Sequence, residues 1–66
     1  MRKALIIIPS LLENYYNYVV LIFVNGKQIG TGAYFCKLSE VRKFMNDCKV
    51  EEHSTTFEKD FKWYEV

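Results

Sequence analysis

Little in this sequence is equipped for chemistry. One histidine, His53, is the only imidazole in 66 residues, and Cys36 and Cys48 are the only thiols. Two cysteines are too few for the disulfide framework of a small secreted module, and their spacing is not a CxxC pair. A helix over residues 39–48, argued below, would be ~14 Å long, whereas disulfide Cα atoms lie within about 7 Å. Both cysteines therefore read as reduced, small and apolar. Charge of one sign is also lacking: nine Lys and Arg against eight Asp and Glu leave a net +1, a weak footprint for binding a phosphate backbone. With one proline, three glycines and no repeat or Gly/Ser tract, nothing marks a linker, so residues 1–66 read as a single domain.

No long apolar run is present either. Met1-Arg2-Lys3 followed by Ala4 to Ile8 imitates a secretory signal, but Pro9, Ser10 and Glu13 interrupt it and no small-x-small cleavage site follows. As a membrane span, Ala4 to Val24 would bury Glu13 and Asn14 at the bilayer centre, at about 2.5 to 3.5 kcal/mol for the acid. The expectation is a cytoplasmic chain with no membrane partner.

What is present favours folding. Hydrophobic residues make up 50%, aromatics 17% and charged residues 26%, far from the composition of disordered chains. A domain this short buries only ~60% of its unfolded surface, so stability is marginal and a second copy or partner would help.

Lys3 to Ile8 is apolar, rich in β-branched residues and stopped by Pro9, which predicts a strand. Tyr15 to Val24, Asn25-Gly26 and Lys27 to Phe35 predict a hairpin over residues 15–35 with a two-residue type I′ turn. Regular pairing then sets Val24 against Lys27, Ile22 against Ile29, Val20 against Thr31, Tyr18 against Ala33 and Tyr16 against Phe35. On the other face Phe23 meets Gln28, Leu21 meets Gly30, Val19 meets Gly32 and Asn17 meets Tyr34. An amphipathic helix follows over residues 39–48, with Ser39 as N-cap and Glu40 in the first turn. Leu38, Val41, Phe44, Met45 and Cys48 form its apolar stripe. In the tail, Phe57, Phe61 and Tyr64 suit a helix capped by Thr55 and Glu58, yet a strand over about Phe61 to Val66 is expected because extending the sheet buries more. The predicted fold class is α+β: a small antiparallel sheet of three or four strands with one helix packed on one face.

Catalytic and metal roles find no support. His53 beside Glu51, Glu52 and Ser54 suggests a Cys-His pair with Cys36 or Cys48, or a metal ligand; a solvated loop histidine is the plainer reading, since zinc draws three or four ligands. Neither cofactor nor small-molecule substrate is implied. Gly30-Thr31-Gly32 lacks phosphate-loop spacing and falls within a strand. By register both glycines lie opposite Leu21 and Val19, which implies a trough for close approach by another segment or molecule, or simply a bulge.

One helix covers one sheet face, that of Tyr18, Val20, Ile22, Ile29, Ala33 and Phe35. Val19, Leu21 and Phe23 on the other face must then meet either the segment Ala4 to Ile8 or another chain, because monomers rarely expose large apolar patches. Tyr15, in the run Asn14-Tyr15-Tyr16-Asn17-Tyr18, adds an aromatic suited to an interface. The candidate partner-binding residues are Tyr15, Val19, Leu21, Phe23, Gly30 and Gly32. The expected function is a non-enzymatic interaction module, a small phage or mobile-element regulator or inhibitor, binding a larger protein or its own copy. The alternative is a nucleic-acid-binding domain using Lys27, Arg42, Lys43 and Lys49, with Tyr15 or Trp63 as stacking platforms. The order strand, tight turn, strand, helix is similar in topology to the arm-type DNA-binding domains of phage integrases over about half the chain, without a diagnostic motif. The charges otherwise read as a solvated face interleaved with Glu40, Asp47, Glu51 and Glu52.

Overall fold

In the computed structural model, residues 1–9 and 16–60 are described. They form strands β1 (Arg2–Ile8), β2 (Tyr18–Val24) and β3 (Lys27–Phe35), helix α1 (Leu38–Asp47), strand β4 (Glu52–Phe57) and a 3-10 turn at Glu58–Asp60. The sheet order is β3-β2-β1-β4. β1, β2 and β3 pair antiparallel as a meander, and α1 carries the chain across the sheet to place β4 parallel to β1. The fold is α+β with four strands and one helix packed on one face, as the pattern predicts. The sheet is mixed rather than wholly antiparallel, because the helical crossover delivers β4 in the direction of β1, which a short turn cannot do.

The hairpin turn sits where Asn25-Gly26 predicts it, with φ of 52° and 84° at the two positions. Val24 pairs with Lys27, Phe23 with Gln28 and Ile22 with Ile29. Beyond that the register departs from regular counting. Val20 pairs with Ala33, Val19 with Tyr34 and Tyr18 with Phe35, so a bulge between Val20 and Ile22 absorbs two extra residues of β3. Gly30, at φ +65°, supplies the left-handed residue that this bulge uses. A slip of two preserves the alternation, so Ala33 and Phe35 still face the helix; a slip of one would have inverted every side chain.

The helix begins one residue earlier than expected. Lys37, extended at φ −120°, is the N-cap, and its N–H donates to Glu40 Oε1 at 3.0 Å. Ser39 thus lies inside the first turn and is not the cap. Its other end closes without glycine: Lys49 adopts φ +58°, Lys49 N–H donates to the Asn46 carbonyl at 3.1 Å, and Val50 N–H to the Met45 carbonyl at 3.0 Å. Those two bonds are a Schellman closure. Arg2 Nη1 donates to the Cys48 carbonyl at 2.9 Å, a cation on the negative end of the helix.

The helix-side core consists of Ala4, Ile6, Val20, Ile22, Val41 and Met45, with Tyr18, Phe35, Phe44, Cys48 and Val50 packed against it. Phe35 and Phe44 rings meet at 5.1 Å. Leu38, expected in the apolar stripe, is exposed. The strand expected over about Phe61 to Val66 lies outside the described residues. The strand that does extend the sheet is the polar Glu-His-Ser-Thr-Thr-Phe stretch, which Glu51 N–H leads in with a 2.8 Å bond to the Arg2 carbonyl.

Candidate interaction surface

The segment Ala4 to Ile8 does not lie over the second sheet face; as β1 it is a central strand within it. Lys3 pairs with Phe23, Leu5 with Leu21 and Ile7 with Val19, so β1 widens the apolar face instead of covering it. Even so, the centre of that face is dry in the single chain: Ile7, Val19 and Leu21 are 1%, 9% and 3% exposed, with Leu5 and Phe23 half-buried beside them. Val19 and Leu21, expected as partner-binding residues, are therefore core.

The two glycines separate in role. A Cβ on Gly32 would stand 3.1 Å from Leu21 Cδ2 and 3.2 Å from Val19 Cγ1, so the predicted trough is filled by these two neighbours on β2. A Cβ on Gly30 would meet nothing within 4 Å; its constraint is the bulge's backbone conformation. Tyr15 lies outside the described residues. Phe23 lines a hollow of about 500 Å³ at the turn end of the second face, together with Met1, Lys3, Leu5, Asn25 and Ser54. The Met1 ammonium donates to Asn25 Oδ1 at 2.7 Å and ties this end of β1 to the turn.

Two exposed apolar side chains, Ile29 and Tyr34, lie on the outer strand β3. Ile29, placed by pairing on the helix side, is 47% exposed, because a ten-residue helix is ~15 Å long and leaves the turn end of that edge open. Tyr34 is 59% exposed, and its ring lies 5.2 Å from that of Tyr16. Tyr16, expected to oppose Phe35 over the helix, precedes β2 and stacks on Tyr34 instead; the two-residue slip gives Phe35 to Tyr18. Sequence reasoning placed Ile29 and Tyr16 in the helix-side core and missed both exposures, Ile29 on the helix side of β3 and the Tyr16–Tyr34 pair on the other. For Tyr16 the signal available was Gly30 and Gly32, since a bulge displaces every pairing beyond it; Ile29 lies before the bulge and keeps its expected partner.

The chemical candidates are dispersed. His53 is exposed on β4 opposite Ala4, whereas Cys36 follows β3 at the other edge, and three strand spacings of ~4.8 Å separate the two edges. A Cys36-His53 pair is thereby excluded. Cys48 is half-buried against the helix-side core. Among the described residues no three of His, Cys, Asp and Glu gather as metal ligands. Lys27 opens β3, Arg42 and Lys43 lie on the outer side of α1, and Lys49 follows the helix; all are exposed. Lys3 Nζ approaches Glu52 Oε2 at 3.5 Å in an open ion pair of little energetic weight. Among the described residues no helix is long and apolar enough to cross a membrane. No family model, curated protein or solved structure matches this chain.

Proposed function

We propose that the chain is a non-enzymatic protein-interaction module, a small cytoplasmic regulator or inhibitor of the phage or mobile-element kind, that docks on a larger protein through the outer side of its hairpin. The observation that carries this reading is the apolar exposure on both sides of β3, Ile29 on the helix side and the Tyr16–Tyr34 ring pair on the other, along an edge strand with no neighbour on its outer side among the described residues. Tyrosine joins a large apolar body to a polar tip, the chemistry that dominates interface anchors. Phe23 and the hollow beside it extend the surface around the turn.

Affinity capture from the native host, followed by binding of the purified components, tests the reading. The wild type and Phe23→Asp should be compared with Tyr34→Asp. A partner that binds the wild type and loses most of its affinity for Tyr34→Asp is the expected result. Nucleic-acid binding that falls steeply with salt and disappears on charge reversal of Lys27, Arg42 or Lys43 would replace this reading with the other one.

A further inference from the structure

Four asparagines occur in the sequence, and Asn25 is the one followed by glycine; Asn14 and Asn17 precede tyrosine and Asn46 precedes Asp47. Both turn residues are exposed, and a Cβ built on Gly26 would meet nothing within 4 Å, so no side chain screens the Gly26 N–H. In a two-residue turn the ladder bonds belong to the flanking pair, here Val24 and Lys27, and the Gly26 N–H takes no part in them. The Asn25 side chain is tethered. Its Oδ1 accepts from the Met1 ammonium at 2.7 Å, while its own N–H donates to the Met1 carbonyl at 3.1 Å. The φ of 52° at Asn25, followed by 84° at Gly26, is that of a type I′ turn, whose first central residue has ψ of about +30°. At that ψ, Cβ and the Gly26 nitrogen lie on nearly opposite sides of the Cα–C bond. Closing a five-membered ring through Cγ requires them eclipsed, so the closed turn holds the two reacting atoms apart.

We propose that Asn25 is a modification site, converted by water to aspartate and isoaspartate, and that opening of the turn end gates the conversion. A base takes the Gly26 N–H proton, and the nitrogen attacks Asn25 Cγ to form the Cγ–N bond of a cyclic imide. The Cγ–Nδ2 bond breaks, and Nδ2 takes up a proton and leaves as ammonia. Water then opens the imide. Addition at Cγ breaks the new bond and gives aspartate; addition at the main-chain carbonyl breaks the original peptide bond and gives isoaspartate, whose main chain runs through Cβ and Cγ. One water enters and one ammonia leaves, with no oxidation or reduction. The two products differ in consequence. Aspartate keeps the chain length and sets a carboxylate against the Met1 ammonium, so the turn re-forms. Isoaspartate adds a main-chain carbon between Val24 and Lys27, which a two-residue turn does not accommodate, so their pairing and the Met1 tether are lost and the end of the hairpin stays open.

The full chain incubated in mildly alkaline buffer, with and without denaturing urea, tests this, with products read by peptide mass and by enzymatic methylation of isoaspartyl groups. Conversion at Asn25 should exceed that at Asn17 and Asn46, and should run at least about tenfold faster in urea, where no turn opposes ring closure. Phe23→Ala takes a half-buried ring from the turn end; it should react about fivefold faster than the wild type in native buffer and at the same rate in urea. The purified isoaspartyl form should unfold at a lower urea concentration than Asn25→Asp, which should stay near the wild type. No excess at Asn25, equal rates with and without urea, a Phe23→Ala chain no faster than the wild type, or an isoaspartyl form as stable as Asn25→Asp would each overturn the proposal.

Discussion

β1 sends Ile6 to one side of the sheet and Ile7 to the other, and the two sides are built differently. On the helix side, Ile6 joins a six-residue core in which Val41 and Met45 of α1 close over Ala4, Val20 and Ile22. On the second side, among the described residues, Ile7 joins Val19 and Leu21, with half-buried Leu5 and Phe23 packed against them. Both centres are buried; among the described residues the second has three buried members against six, and it borders a hollow at the turn end. An apolar face is thus a poor guide to free surface: among the described residues Ile29, Tyr34 and Phe57 of the two edge strands are exposed, whereas Ile7, Val19 and Leu21 in the middle of the side without the helix are buried.

The sharpest way to break the comparison is to truncate both isoleucines. Ile6→Ala and Ile7→Ala should each cost ~2 to 5 kcal/mol, since both side chains are nearly inaccessible. A domain of this length holds only about 3 to 10 kcal/mol, so urea midpoints should fall sharply for both. If Ile7→Ala costs less than about 1 kcal/mol while Ile6→Ala costs the full amount, the second centre is loosely packed and the equivalence of the two sides fails.

How far this was legible in the sequence follows from the same contrast. Asn25-Gly26 announces its turn because two residues with φ > 0 are chemically distinctive, and α1 announces itself through Val41, Phe44, Met45 and Cys48. β4 carries no such signal. It is an edge strand with almost all of its side chains in solvent, so selection for alternating apolar residues does not act on Glu52 to Thr56. Only the β-branched Thr55 and Thr56 before Phe57 hint at extension. The bulge escaped register arithmetic because counting from a turn assumes one residue per partner; the positive φ of Gly30 is what violates that assumption. For the candidate site the limit was different. Val19 and Leu21 were rightly placed on the side without the helix, but side-chain polarity does not report whether a chain buries its own face.

A second, smaller effect sharpens the account of that face. Gly32→Ala pushes a methyl group against Leu21 Cδ2 and Val19 Cγ1 and should cost ~1 to 3 kcal/mol. Leu21→Ala in the same chain should relieve part of that cost, giving a favourable coupling energy in a double-mutant cycle. Gly30→Ala should cost about 1 to 2 kcal/mol through its backbone conformation alone, with no relief from Leu21→Ala. Equal coupling at the two glycines would mean that the bulge, and not contact with Leu21, governs both.

The helix side offers the complementary test, at its seal. Val50 packs on the helix-side core because the chain reverses at Lys49, and that reversal requires φ +58°, a conformation costing an L-residue about 1 to 2 kcal/mol. Glycine removes this cost but adds unfolded-state freedom worth about 0.4 to 1 kcal/mol. The balance makes Lys49→Gly stabilising by about 0.5 to 1 kcal/mol, a rise of roughly 2 to 8 °C in melting temperature for a domain of this size. Lys49→Ala, which keeps the left-handed strain and drops only the charge, should melt with the wild type. Should the glycine variant melt lower, the two closing bonds from Lys49 and Val50 would not hold the reversal in solution, and the helix-side core would lack the seal that distinguishes it from the other face.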